Sequence, residues 1–333
     1  MENCQAVEFA LQEFLHVDTA QLTWLAGDAS DRTYYEVHTE KKKALALMVL
    51  GKRDRELLQK GTYEWVSLQQ FLAAHDIKVP HIEHLFPKLG VILIEHLGSQ
   101  SLEAKVQGAK NSEEISSIYR SIFPLLTSFL HLPPYSVYTQ RAFDEALLAH
   151  ELRFFKTHFL EATLGLQFTS EEEALFVRDV EALASTVAKE SRFFVHRDLH
   201  SRNLLIHNEA PYAIDFQDAR LGSPVYDLIS LVFDPYVPVE IPLRLELFEE
   251  AMAAMGRQIP MPSPEGWRPV FLQRMLKILG SYGWLGGSKN RSYLQYIPPT
   301  LSFLRAIPTY DARWPFLSQT LLERIQASAR SIV

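Results

Sequence analysis

The chain reads as an α+β protein in two parts, a sheet-rich part over 1–97 and a mainly helical part over 98–333. Three observations predict this. Short strand-like apolar runs fill most of the first hundred residues, interrupted by one long helical pattern. After Gly98, apolar residues recur at helical spacing in six long stretches. Among those helices, 193–217 stands out as short apolar runs broken by charged residues.

Residues 2–16 place Val7, Leu11, Phe14 and Leu15 at helical intervals. Strand-like runs follow at 22–25, 33–38 and 44–50. The first two flank Gly27-Asp28-Ala29-Ser30-Asp31, which has turn chemistry, and the charged run Glu40-Lys41-Lys42-Lys43 supplies a second turn. The pattern at 53–75 is helical through Leu57, Leu58, Trp65, Leu68, Phe71 and Leu72, and Val79-Pro80 breaks it. A strand pair near 81–86 and 91–95 runs into His96-Leu97-Gly98, where the two parts are expected to meet. Helical spacing then covers 101–131, 141–161, 170–189, 240–256, 265–284 and 315–331. There is no internal repeat and no low-complexity linker.

A chain of 333 residues can bury a substantial core, and 47% hydrophobic with 22% charged residues is a soluble globular balance rather than a disordered one. The formal charge of −7 argues against nonspecific nucleic-acid binding, which needs a positive face. Cys4 is the single cysteine, so no intramolecular disulfide forms, in keeping with a reducing compartment. Glu2, Glu8 and Glu13 interrupt the N-terminal apolar residues, unlike a signal peptide, and no apolar run reaches the roughly 18 to 20 residues that span a bilayer. The expectation is a cytoplasmic protein with neither nucleic acid nor membrane as partner, its oligomeric state left open.

The informative segment is His196-Arg197-Asp198-Leu199-His200-Ser201-Arg202-Asn203, followed by the apolar run Leu204-Leu205-Ile206 and then Ala213-Ile214-Asp215-Phe216-Gln217-Asp218. Phosphoryl transfer asks a protein mainly to position groups and neutralise charge. In that chemistry Asp198 would accept the proton of a substrate hydroxyl. Asn203 would offer a neutral oxygen to magnesium, and Asp215 a carboxylate to magnesium on the nucleotide phosphates. Magnesium keeps several waters, so two side chains plus phosphates suffice. The runs 204–206 and 212–214 would form the hairpin between these ligands. An isolated Asp is more often a helix cap, and a lone His196 a packed core histidine. Residue types at fixed offsets with strand-like runs between them rarely coincide. Asp218 reads equally as a metal or substrate contact and as a turn residue. Asp227 reads as a helix cap or a buttress of the loop.

These residues resemble the aminoglycoside phosphotransferase-like branch of the protein-kinase-like superfamily, whose loop pattern is H-x-D-x-H-x-x-N. The resemblance implies a protein-kinase-like two-lobed fold, with an antiparallel-sheet nucleotide lobe, a helical catalytic and substrate lobe, and ATP with Mg2+ as cofactors. Gln217 stands where protein kinases carry the glycine of D-F-G, which favours a small-molecule acceptor. Further stretches are similar to the bacterial N-acetylmuramate/N-acetylglucosamine anomeric kinases of cell-wall sugar recycling. They are the Gly27 to Tyr35 turn, Leu152-Arg153-Phe154-Phe155, Phe216-Gln217-Asp218-Ala219 and Arg274-Met275-Leu276-Lys277-Ile278-Leu279-Gly280. That similarity implies ATP-dependent phosphorylation of the sugar's C1 hydroxyl.

Two departures bear on the nucleotide. A full G-x-G-x-x-G loop is absent, leaving Gly27 and Ser30 as a reduced phosphate cover. The run 44–50 also lacks the lysine expected on the third strand. Lys43 at its edge, or Arg32 after the glycine turn with its bidentate fork, would supply the cation. The resemblance favours Arg32, because the anomeric kinases have an arginine in the corresponding stretch. Glu95 and Leu97 belong to the connection whose backbone would hold adenine, although a strand simply ending at Gly98 fits equally. Glu151 is the first candidate for sugar binding, with His200 and Asp218 beside it. Arg153, Lys156, Lys277 and Lys289 could meet sugar hydroxyls or a lactyl carboxylate. The competing functions are phosphorylation of an aminoglycoside or other small alcohol, and a non-catalytic kinase-like nucleotide-binding module.

Overall fold

The structure is a computed structural model that describes residues 2–18, 20–27, 32–39 and 44–329. The expected turns at 28–31 and 40–43 lie outside these residues, and with them Ser30 and Lys43.

Helix α1 (Glu2–Leu15) leads into strands β1 (Ala20–Gly27), β2 (Thr33–Thr39) and β3 (Leu45–Val49). Helices α2 (Lys52–Gln59) and α3 (Glu64–Ala74) and strands β4 (Ile82–Phe86) and β5 (Val91–Glu95) follow. The strands form one antiparallel sheet in the order β1-β2-β3-β5-β4. β3 and β5 sit inside the sheet and are buried on both faces, which is why their sequences are continuously apolar rather than alternating. Leu45, Leu47, Val91 and Leu93 pack with Val7 and Leu11 of α1. The single helix read over 53–75 is two, because Gly61 takes a left-handed φ of 69° between α2 and α3.

The chain continues through α4 (Leu102–Gln107), α5 (Ser112–Leu130), α6 (Ser136–Thr139), α7 (Glu145–Phe155) and α8 (Ser170–Ala188). Strand β6 (Phe193–Val195), the hairpin β7 (Leu204–His207) and β8 (Ala210–Ala213), and strand β9 (Arg220–Gly222) come next. Helices α9 (Tyr226–Val232), α10 (Ile241–Gly256), α11 (Pro264–Ser288), α12 (Ile297–Ala306) and α13 (Leu321–Ala329) complete the order. The helix read over 101–131 divides after Gly108, and the Asn111 side chain caps α5 by accepting from the Glu114 N–H at 2.9 Å. α12 escapes the sequence reading because it opens Ile-Pro-Pro. Proline reads as a breaker but is tolerated in a first turn, where no intrahelical donor is needed. All seven residues of α9 are buried, so it carries no amphipathic period.

The chain divides into two compact units, Met1–Gln100 with Leu204–Gln217, and Ser101–Asn203 with Asp218–Val333. In the first unit the β7–β8 hairpin turns through Asn208 and Glu209, at φ 49° and 58°, the left-handed pair that a two-residue hairpin requires. The Ile206 N–H donates to the Gln100 carbonyl and the Ala213 N–H to that of Lys78, at 2.8 and 2.9 Å. In the second unit β6 pairs antiparallel with β9, Val195 opposite Arg220. Among the described residues no helix is long and apolar enough to cross a membrane.

α7 and α11 touch at backbone distance. A Cβ at Gly280 would lie 2.7 Å from the Phe155 Cα and 2.9 Å from its nitrogen. Gly280→Ala is therefore expected to overpack this contact and cost about 1–3 kcal/mol, read as a lowered denaturation midpoint with unchanged slope. A neutral effect would show that the two helices separate freely.

Candidate active site

In the second unit the chain leaves β6 at Val195 into a loop held by its own amides. The His196 and Arg197 N–H groups donate to the two carboxylate oxygens of Asp227 on α9, at 2.6 and 3.0 Å. Burial pushes the Asp227 carboxyl up to about 7, against the pull of those two donors. The buttress reading of Asp227 is the one the geometry bears out. Arg197 sits at φ 83°, a left-handed conformation that a bulky residue adopts only when its surroundings impose it. Further along, the Ser201 N–H donates to the buried Asp234 at 2.7 Å. The loop thus meets its backbone needs through two buried carboxylates.

Asp198 projects from this loop. Its Oδ1 accepts from Arg274 Nη1 at 3.2 Å and from Lys277 Nζ at 3.0 Å, both on α11. Burial alone would raise the Asp198 carboxyl, but Lys277, Arg274 and Arg197 together outweigh it and hold the group well below the usual carboxylate range. The side chain keeps 28% exposure, whereas Arg274 has 4%. The backbone carbonyl of Asp198 accepts from Asn203 Nδ2 at 2.9 Å, so the nitrogen end of that amide faces the loop backbone. His200 lies in the same turn, where burial lowers its pKa and leaves it a neutral imidazole at neutral pH.

Behind the loop, Arg197 Nη2 donates to Glu151 Oε1 at 2.9 Å, and Gln273 Nε2 donates to Glu151 Oε2 at 2.7 Å. Glu151 is 5% exposed, so both oxygens of the first candidate for sugar binding are engaged inside the protein. Asp218 is more than half exposed and lies 3.8 Å from Arg197 Nη1. Arg202 forms a bidentate pair with Glu103 at 2.8 and 2.9 Å and stacks over Tyr236 at 3.9 Å. Neither Gln273 nor Glu103 is signalled by the sequence, because each acts through a partner about a hundred or more positions away.

The first unit carries a second group of expected residues. Arg32 is 7% exposed, with Nε 3.6 Å from Asp54 Oδ2, and Tyr63 donates to the same oxygen at 3.1 Å. Burial would lower the guanidinium's pKa, but Tyr63, Tyr34 and Asp215 together raise it, so it stays charged. Among the described residues its Nε and Nη1 have no hydrogen-bond partner, which fits an anionic oxygen as their complement. Asp215 has φ 63°, and its Oδ1 accepts from Gln217 Nε2 at 2.6 Å. Next to it Phe216 is buried and stacks on Trp65 at 5.3 Å. The Glu95 carboxylate accepts from the His81 N–H at 3.3 Å, and the Leu97 carbonyl from His207 Nδ1 at 3.1 Å. Asp198, Asn203, His200, Glu151 and Asp218 thus belong to the second unit, and Arg32, Glu95, Leu97 and Asp215 to the first.

Comparison with known proteins bears on this arrangement. The model of the phosphotransferase enzyme family matches residues 21–267. The chain belongs to this family. It is 26% identical over 325 residues to the N-acetylmuramate/N-acetylglucosamine kinase of Pseudomonas aeruginosa, covering 96% of this chain and 92% of that one. The Neisseria meningitidis kinase of the same name is 26% identical over 318 residues, covering 91% and 90%. Among solved structures, an ADP-bound aminoglycoside phosphotransferase of the APH(2'')-Ib type aligns with a TM-score of 0.59 at 12% identity, covering 93% of this chain and 97% of that one. Choline kinase LicA from Streptococcus pneumoniae aligns at 0.57 and 15% identity, covering 91% and 100%. The kinase-like α+β fold expected from the sequence is the fold of this phosphotransferase.

Two measurements follow. Glu151→Ala strands the buried Arg197 charge and is expected to cost about 3–5 kcal/mol, whereas an effect near zero would mean that the pair is solvated. For Asp198, a folded pKa below the ordinary value of about 3.9 means that its pairing stabilises the protein above that pH and is lost as pH falls through the lowered value. The gap in melting temperature between wild type and Asp198→Asn should persist from neutral pH down to about pH 5 and narrow only below about pH 4. A gap that narrows between pH 7 and 5 would contradict the clamp.

Proposed function

We propose that this phosphotransferase is an ATP-dependent sugar kinase that phosphorylates the anomeric C1 hydroxyl of N-acetylmuramate and N-acetylglucosamine. In this reading Asp198 accepts the hydroxyl proton, the oxygen attacks the γ-phosphorus, and ADP leaves with the electrons of the broken P–O bond. Arg32, with two donors that have no partner among the described residues in a buried place, would meet nucleotide phosphate.

Asn203 and Asp215 would hold Mg2+, which supplies charge neutralisation on the phosphates when bound. Among the described residues no three His, Cys, Asp or Glu side chains gather as a metal site. Two oxygen-bearing side chains completed by phosphate and water oxygens suit magnesium, which dehydrates reluctantly. Glu151 takes a supporting part behind Arg197 rather than a contact with sugar.

The observation that carries the choice of acceptor is the pair of cations on Asp198 Oδ1. A polycationic aminoglycoside or a quaternary ammonium alcohol would bring its positive charge beside Arg274 and Lys277. A neutral or acidic sugar meets no such opposition. The kinases of Pseudomonas and Neisseria, similar over almost their whole length, act by name on such sugars.

A nucleotide-consumption screen over amino sugars, aminoglycosides and small alcohols, with phosphorus spectra of the products, tests the reading. Magnesium-dependent ADP release with the two N-acetyl sugars, and an alkali-labile anomeric phosphate, is expected. Turnover of another acceptor in their place would overturn it. Asp198→Asn should lower kcat by about 10²–10⁴-fold with nucleotide binding retained. Asp215→Asn should weaken magnesium-dependent nucleotide binding as well.

A further inference from the structure

Five charged residues of the helical part were candidates for contact with an acceptor, and their surroundings separate them. Glu151 is spent on Arg197 and Gln273. Lys156 is neutralised by Glu161 at 2.6 Å and Glu173 at 3.0 Å. Arg153 and Lys289 are exposed on the surface, and nothing ties them to Asp198. Lys277 differs from all four. Its Nζ is 3.0 Å from the carboxylate expected to take the acceptor's proton.

Lys277 also differs from its neighbour on that carboxylate. Arg274 is 4% exposed and packs its guanidinium over Tyr226 at 5.4 Å. Lys277 keeps 15% exposure beside an Asp198 that keeps 28%. An ammonium carries three N–H donors, and one of them reaches Asp198. The acceptor hydroxyl must approach that carboxylate to about 2.7 Å to give up its proton, which brings the rest of the sugar within a ring's width of the ammonium. Both cations meet at one carboxylate oxygen, so an anionic group carried by the acceptor would find the Lys277 ammonium beside the reacting hydroxyl.

We propose that Lys277 is a specificity-determining residue of the acceptor site, whose ammonium pairs with a carboxylate carried by the acceptor near its reacting hydroxyl and disfavours an acceptor carrying an ammonium there. The proposal deepens the sugar-kinase reading and rests on it. A charge-assisted hydrogen bond of this kind gives about a tenfold to hundredfold preference in kcat/KM.

The test compares N-acetylmuramate, which carries a lactyl carboxylate, with N-acetylglucosamine, which does not. The full chain is assayed with ATP and magnesium as wild type, Lys277→Met and Lys277→Arg. Because Lys277→Met also removes a partner of Asp198, both sugars lose rate. The ratio of their kcat/KM values is the quantity read. The ratio should favour N-acetylmuramate in wild type, fall about tenfold or more in Lys277→Met, and return in Lys277→Arg. Equal losses for both sugars would overturn the proposal, leaving Lys277 acting through Asp198 alone.

A wild-type measurement keeps the proposal testable if the methionine variant does not fold. KM for N-acetylmuramate should rise with ionic strength while KM for N-acetylglucosamine stays flat, and parallel behaviour would overturn the proposal. Wild type that phosphorylates neither sugar refutes the sugar-kinase reading itself, and this inference falls with it.

Discussion

The site depends on one oxygen atom. Asp198 Oδ1 is held between Arg274 and Lys277, and the geometry around it follows from where α11 lies. Gln273, Arg274 and Lys277 share one stretch of that helix, so it reaches Asp198 directly and Arg197 through Glu151. The depth at which α11 sits is set in turn by Gly280, whose missing side chain lets the helix rest on the backbone of Phe155. A packing contact about one helical turn beyond Lys277 thereby helps fix where a carboxylate points.

Electrostatics explain why so many charges are tolerated in so little space. The buried carboxylates around the loop are each matched by specific partners: Asp227 by two backbone N–H groups, Asp234 by the Ser201 amide, Glu151 by Arg197 and Gln273. Buried charges paired in this way do little for net stability, and their value lies in fixing one arrangement. The left-handed backbone of Arg197 is the local cost of aiming Asp198 and Arg197 in different directions. In the first unit Asp215 shares that conformation, with Gln217 turned back onto its carboxylate. The residue that marks the departure from D-F-G therefore has a structural task of its own.

Much of this can be read from the sequence, and the limits have physical causes. The loop from His196 to Asn203 is readable because its functional groups are nearly consecutive and their spacing is dictated by chemistry. The β7–β8 hairpin is readable from its apolar runs, and the sheet of the first unit from its alternating or continuously apolar strands. What acts at long range is not. Lys277 was a candidate for sugar contact, yet nothing in the chain pairs it with a carboxylate 79 positions earlier. Glu151 reads as a solvated or ligand-facing carboxylate until Arg197 and Gln273 are seen to enclose it. Helices buried on all sides, such as α9, or opening with prolines, such as α12, lack the periodic signal on which a sequence reading relies.

The central claim is that the clamp on Asp198 Oδ1, to which Lys277 contributes, sets that carboxylate for turnover, whatever further contact Lys277 makes with an acidic acceptor. A double-mutant cycle in kcat/KM with N-acetylglucosamine, which has no carboxylate of its own, tests that contact most directly. The account predicts strong non-additivity, with Asp198→Asn/Lys277→Met about as impaired as Asp198→Asn alone. Losses that multiply independently would show that the two side chains work apart.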